Sequence, residues 1–233
     1  MPIKNVLFDL DGTLLPMDQD VFLKSYFKHL VIKLAPYGYD PDKTVKAIWH
    51  CTQSVIQNDG SCTNEQTFWR GFAEIFGSGC VDDIPIFDDF YRNEFQQVAK
   101  DCGYHSKAAA CIAALKQKGC RLVLATNPLF PAIATESRIR WAGLDKSDFE
   151  LVTTYENSSY CKPNLDYYRQ IMNKLDLVAE ECLMVGNDVD DDMVAAQLGM
   201  QVFLLTDCLI NKQGVDISRY PNGSFDELMA FIG

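Results

Sequence analysis

The sequence predicts an α/β protein: a doubly wound parallel sheet carrying an inserted all-helical cap. Three observations point there. From about residue 105 onward, short apolar strands alternate with helical patterns. That alternation pairs strands in parallel and puts helices on both faces of the sheet. Residues 1–15 hold one further apolar strand. Residues 16–104 show helical periodicity and no convincing strand. The expected division is therefore a discontinuous α/β core of residues 1–15 and 105–233, with residues 16–104 as the helical cap. A chain of 233 residues suits one compact domain plus a sizeable insertion better than two full domains.

The first strand is Val6-Leu7-Phe8, and it runs straight into Asp9-Leu10-Asp11-Gly12. The insertion follows. Phe22, Tyr26 and Leu30 share one helical face, as do Val45, Ile48, Trp49 and Thr52. Phe68, Phe72 and Ile75 form a third face, and Phe87, Phe90, Tyr91 and Phe95 a fourth. The segment holds 15 of the 27 aromatics. A small helical unit must bury much area per residue, so these rings read first as its core and only second as a ligand cage. After the cap, strands are expected at Arg121 to Thr126, Glu150 to Thr154, Cys182 to Gly186 and Gln201 to Thr206. Helices are expected at Lys107 to Lys118, Pro131 to Ala142, Leu165 to Lys174 and Asp191 to Leu198. Gly119 and Gly199 stand where helix C-termini favour glycine. Crossovers should be right-handed, and the parallel pairing would bring every strand's C-terminal end to one edge, where ligands of such sheets bind.

Composition narrows the function. The apolar fraction of 48% supports a real core. A net charge of −11 argues against nucleic acid and anionic membranes, but not against a small phosphorylated substrate. Nine scattered cysteines without a C-x-x-C pair read as reduced thiols. No signal peptide and no membrane-length apolar run is visible, so a cytoplasmic location is expected. A monomer or a homodimer is expected, and the sequence does not choose between them.

Chemistry concentrates at the strand ends. Asp9 and Asp11 are two apart on an extended chain and face the same way. At 4 Å two such charges repel by about 4 kcal/mol at an effective dielectric near 20. Such a pair recruits a cation, shares a proton or is solvated. The second core strand ends in Thr126-Asn127. A loop after the third carries Lys162-Pro163. The fourth runs into Gly186-Asn187-Asp188-Val189-Asp190-Asp191-Asp192. Singly, each reads as an ordinary turn or solvated loop. Together, after successive strands and in this order, they do not.

This set resembles the motifs of the haloacid dehalogenase-like hydrolases. Asp9-Leu10-Asp11-Gly12-Thr13-Leu14 is similar to the family's D-x-D-G-T-L, Thr126-Asn127 to its second motif, Lys162-Pro163 to its third, and Gly186-Asn187-Asp188 with Asp192 to its fourth. The insertion resembles the family's first-type cap. Asn187 is a departure, because the commoner form has Asp directly after Gly. Asp188 and Asp192 keep a spacing that suits one face of a helical turn, so they are expected to face the metal and Asp190 and Asp191 to point elsewhere.

The resemblance implies an Mg²⁺-dependent phosphatase of a small phosphorylated metabolite. Asp9 would be the nucleophile and Asp11 the general acid/base. Metal ligands would be Asp9, the Asp11 carbonyl, Asp188, and Asp192 directly or through water. Thr126, Asn127 and Lys162 would bind the phosphate. Asp11 disfavours dehalogenation, because dehalogenase members lack that second Asp. A phosphosugar mutase and a catalytically silent binding or regulatory member are the alternatives. Lys24 and Arg70 are the cap cations considered for an anionic substrate. His29, His50 and His105 fall on no strand end.

Overall fold

The computed structural model describes residues 2–233. Six parallel strands form the sheet: β1 (Asn5–Phe8), β2 (Arg121–Leu124), β3 (Leu151–Val152), β4 (Cys182–Gly186), β5 (Gln201–Leu205) and β6 (Asn222–Gly223). Their order is β3-β2-β1-β4-β5-β6, so β1 lies at the centre. Asn5 to Phe8 register against Arg121 to Leu124 on one side and Cys182 to Val185 on the other. This is the predicted parallel α/β core.

The helices are α1 (Gln19–Leu34), α2 (Pro41–Ile56), α3 (Asn64–Phe76), α4 (Ile84–Arg92), α5 (Ser106–Gln117), α6 (Ala132–Trp141), α7 (Leu165–Leu175) and α8 (Phe225–Ile232). Alternation along β1 sends Val6 and Phe8 to a layer with Ile112 and Leu115 of α5, Ile139 of α6 and Leu228 of α8. Leu7 faces the opposite layer, with Tyr167, Tyr168 and Ile171 of α7. The sheet is therefore covered on both faces, which explains its nearly continuous apolar strands.

The inserted helices have a core of their own. Phe22, Tyr26 and Leu30 meet Ile48, Trp69, Phe72, Phe87, Phe90 and Phe95, and Ala134 of α6 joins them. The expected faces of α1, α3 and α4 converge as read, but on α2 only Ile48 of the expected set is buried, because the helix turns Thr44, Ala47, Cys51 and Val55 inward and leaves Trp49 exposed. Phe72 stacks at 5.8 Å on Phe68 and edges onto Phe87 at 5.7 Å. Phe72→Ala is expected to destabilise the protein by about 3–5 kcal/mol, and Ile32→Ala on the exposed face by less than about 0.5 kcal/mol, measured by urea unfolding.

Two sets of contacts fasten this cap. On one side, Gln96 donates to Ser137 at 2.9 Å and accepts from the Trp141 indole at 3.3 Å. On the other, the start of α3 is bonded to the core loops. Asn64 N–H donates to Ser158 O, and Glu65 N–H to Tyr155 O, both at 2.8 Å. The Asn64 amide donates to Pro128 O at 3.2 Å.

Several elements differ from expectation. The segment from Asp191 to Leu198 is not an α-helix: a turn leads into a 3-10 helix over Met193–Leu198. Carboxylates clustered at its start bind backbone N–H groups and wind the chain tightly. Strand β3 is two residues long, although Glu150 N–H and Thr153 N–H extend the ladder to Leu122 O and Leu124 O. Strand β6 and α8 were not anticipated, because Asn222-Gly223 has little strand character. Cap residues Ser78–Asp83 and Glu94–Asp101 are also 3-10 helix.

Candidate active site

The C-terminal ends of β1, β2 and β4, with the loop after β3, line one cavity of about 290 Å³ under the cap. Asp9, Asp11, Thr126, Asn127, Lys162, Asp188 and Asp192 all border it, so the residues singled out from sequence meet in one place.

Lys162 is the electrostatic centre. Its ammonium is buried and lies 2.9 Å from Asp9 Oδ1 and 2.7 Å from Asp192 Oδ1. Burial alone would drive the proton off, but Asp192 and Asp9 outweigh it and hold the ammonium well above its ordinary range. Burial conversely raises Asp9, against the pull of Lys162. One cation between two carboxylates leaves a net negative charge.

The turn after β1 is set by Gly12, at φ +83°, where a Cβ would lie 2.3 Å from Asn187 Nδ2. Asn187 is part of this packing. Its Oδ1 accepts from Thr13 Oγ1 at 2.9 Å and its amide donates to Cys208 O at 2.7 Å. Asn187 thus ties the fourth motif to the first. Gly186 is equally constrained, since a Cβ there would sit 2.0 Å from Asp192 Oδ2.

The acidic loop divides its labour. Asp192 spends Oδ1 on Lys162 and Oδ2 on the Asp188 N–H at 3.0 Å. Asp188 Oδ1 accepts from the Asp190 and Asp191 N–H groups at 2.8 and 3.0 Å. Asp190 accepts from Gln213, away from the cavity. Asp191 corrects the sequence reading. It borders the cavity and sits 3.4 Å from Asn127 Nδ2, instead of pointing elsewhere. Burial pushes its carboxyl up to about 6. Tyr168 of α7 donates to Asp191 O at 2.6 Å, and Tyr167 to Thr126 O at 2.9 Å, so α7 braces both loops.

The residue that sequence reasoning missed is Arg138 of α6. Its side chain is 1% exposed and is ion-paired with Asp11 Oδ2, while its guanidinium lies 4.5 Å over the Phe130 ring. Burial raises the Asp11 pKa, and Arg138 and Lys162 oppose that rise. Lys24 and Arg70 do not border the cavity, and Arg70 instead donates to Cys62 Sγ at 3.3 Å. The three histidines also lie away from it, and His105 caps α5 through the Lys107 N–H.

Several polar atoms at the site have no partner among the described residues. Asp11 Oδ1 is buried without a hydrogen bond. The Asp11 carbonyl accepts no backbone bond. Asp188 Oδ2 and Asp191 Oδ1 are also free. These are hard oxygen donors, in an acidic pocket, of the kind Mg²⁺ takes. Among the described residues no three acidic, His or Cys side chains form a ready-made metal cage.

A capped parallel sheet with an aspartate pair at the end of its central strand defines a class of cap-and-core hydrolases. Residues 3–199 match the haloacid dehalogenase-like hydrolases, and the chain belongs to that family as a phosphatase-like hydrolase. Among relatives, it is 26% identical to a phosphoglycolate phosphatase of Colwellia psychrerythraea over 224 residues, 95% of this chain and 92% of that one. It is 24% identical to the pyrophosphatase PpaX of Bacillus cereus over 197 residues, 84% of this chain and 80% of that one. The fold aligns with the HAD-hydrolase YfnB of Bacillus subtilis, solved bound to magnesium, over the full length of both chains, at TM-score 0.57 and 16% identity. Among the described residues no helix is long and apolar enough to cross a membrane, and all nine cysteines are free.

Proposed function

We propose that this protein is an Mg²⁺-dependent phosphomonoester hydrolase acting on a small phosphorylated metabolite through an aspartyl phosphate on Asp9. The observation that carries the reading is Asp9 at the cavity floor, paired with a buried Lys162 and next to unused donors. Asp9 attacks phosphorus, a bond forms from its carboxylate oxygen, and the bond to the leaving oxygen breaks. Asp11 gives that oxygen a proton, then takes one from the water that hydrolyses the aspartyl phosphate. Asp11 Oδ1 is the oxygen left over for this, because Arg138 holds Oδ2. Lys162 offsets charge on Asp9 and phosphate. The Thr126 hydroxyl and Asn127 N–H hold phosphate oxygens as charge develops.

When bound, the metal supplies charge neutralisation at the phosphate. Asp9, the Asp11 carbonyl and Asp188 are assigned to hold it, with Asp191 beside them. Asp192 is assigned to Lys162 and the loop, because neither of its oxygens is left over. The cap, residues 16–104, excludes water and reads the leaving group.

Phosphate release from a generic aryl phosphate tests the reading. It is expected with millimolar Mg²⁺ and lost in chelator. Absence of release in the presence of Mg²⁺ overturns it.

Metal loading is also expected to depend on pH. Asp191 titrates near 6 in the folded protein against an ordinary 3.8, so the native state binds more protons between those values. Stability from this group is therefore present at low pH and falls as pH rises through that window. Deprotonated ligands favour the metal. At saturating Mg²⁺ the melting temperature is expected to rise by about 5 °C or more at pH 7.5 and by less at pH 5. Equal shifts at both pH values, read by differential scanning fluorimetry, contradict this.

A further inference from the structure

Resting on the phosphatase reading, we infer that the substrate's leaving group is an uncharged, ring-bearing apolar alcohol and carries no second anion. The cavity is chemically two-sided. Its floor holds the carboxylates, Lys162 and the free donors of the strand ends. Its roof is aromatic: Phe22, Phe27, Trp49, Phe68, Trp69 and Tyr91 border it from the cap, and Phe130 joins them from the core.

Charge on the roof has one sign. Among the described residues the cap sends no Lys, Arg or His to the cavity, and its single charged contribution is the Asp88 carboxylate. The two lysines that border the cavity, Lys162 and Lys212, both belong to the core side. Lys162 is already held by Asp9 and Asp192. A carboxylate or second phosphate on the leaving group would therefore lie among rings and face Asp88, with the core-side Lys212 as the one cavity cation not already paired among the described residues. A charge buried among rings without a partner is strongly disfavoured.

Most of the roof rings are accounted for by packing within the cap. Trp49 is not. It is 44% exposed, it borders the cavity, and its contact with Phe27 is a 5.6 Å tilted pair on the cavity side. A large ring left half exposed at the border of the cavity is a stacking platform for another ring. A volume of about 290 Å³ admits a phosphate and a ring system of modest size. This sets the chain apart from relatives named for phosphoglycolate and pyrophosphate, whose leaving groups are anionic.

The test compares kcat/KM in Mg²⁺ for 2-phenylethyl phosphate, phosphoglycolate, pyrophosphate and phosphocholine. The arylalkyl ester is expected to exceed each anionic substrate by about 100-fold or more. Trp49→Ala is expected to raise KM for the arylalkyl ester about tenfold, more than it changes kcat. Phosphoglycolate or pyrophosphate matching the arylalkyl ester overturns the inference while leaving the phosphatase reading intact. Phosphocholine exceeding it also overturns the inference, since the rings would then be serving a cation. Failure to turn over even p-nitrophenyl phosphate strikes the phosphatase reading instead. The roof is then judged by quenching of tryptophan fluorescence. Binding of 2-phenylethylphosphonate tighter than phosphonoacetate supports an apolar roof, and the reverse order overturns it.

Discussion

Asp9→Asn is expected to lower phosphate release by about 10⁴-fold or more while leaving the fold intact. The amide has the shape of the carboxylate but is no nucleophile, so no aspartyl phosphate can form. Lys162 keeps Asp192 at 2.7 Å and stays paired. The substitution also removes one negative charge from a crowded floor, so the melting temperature is expected to hold or rise. Rate and stability thus move independently. Labelling with radioactive phosphate and an acid quench should mark the native protein and not the variant. A variant that turns over at the native rate removes Asp9 from the role assigned to it.

Arg138→Met is expected to have the second large effect, and to register in two ways. The substitution leaves Asp11 without its buried partner. Breaking such a pair costs about 3 kcal/mol or more, an expected fall of about 6 °C or more in melting temperature. The side chains are 1% and 22% exposed, so solvent screens the pair little. Pairing the change with Asp11→Asn should recover at least half of the loss, because no carboxylate is then stranded. The kinetic effect has a definite sign. Asp11 must be protonated to act as an acid, so activity falls as pH rises through its pKa. Arg138 pulls that pKa down, and its removal shifts the basic limb of the kcat/KM profile to higher pH. A purely structural Arg138 would change stability and leave the limb where it was.

The parallel core and four strand-end motifs were legible in the sequence because each is local. Strand β4 runs over Cys182–Gly186, the residues its apolar run marks out. Asp9, Thr126, Lys162 and Asp188 then had to meet, because parallel strands share an edge. What stayed hidden depends on distant or irregular geometry. Arg138 pairs with a residue 127 positions away, and an Arg on a helix ordinarily reads as solvated. Asp191 was placed away from the cavity by a spacing argument that assumes α-helical winding. The turn and 3-10 helix that follow rotate its side chain inward. The aromatic faces of α1, α3 and α4 were readable by periodicity, but which rings open onto the cavity depends on how four helices pack together.

The bonds from Asn64 and Glu65 to the loops at Pro128, Tyr155 and Ser158 have a kinetic meaning. Those loops carry Thr126, Asn127 and Lys162 on either side. The cap is therefore stitched to the phosphate edge along this seam, apart from its other fastening through Gln96 to α6. On the proposed reading, a cap that lifted from the core to admit a substrate would part these bonds and slacken the loops assigned to the phosphate. Closing would restore both, and the first turn of α3 would link entry to grip.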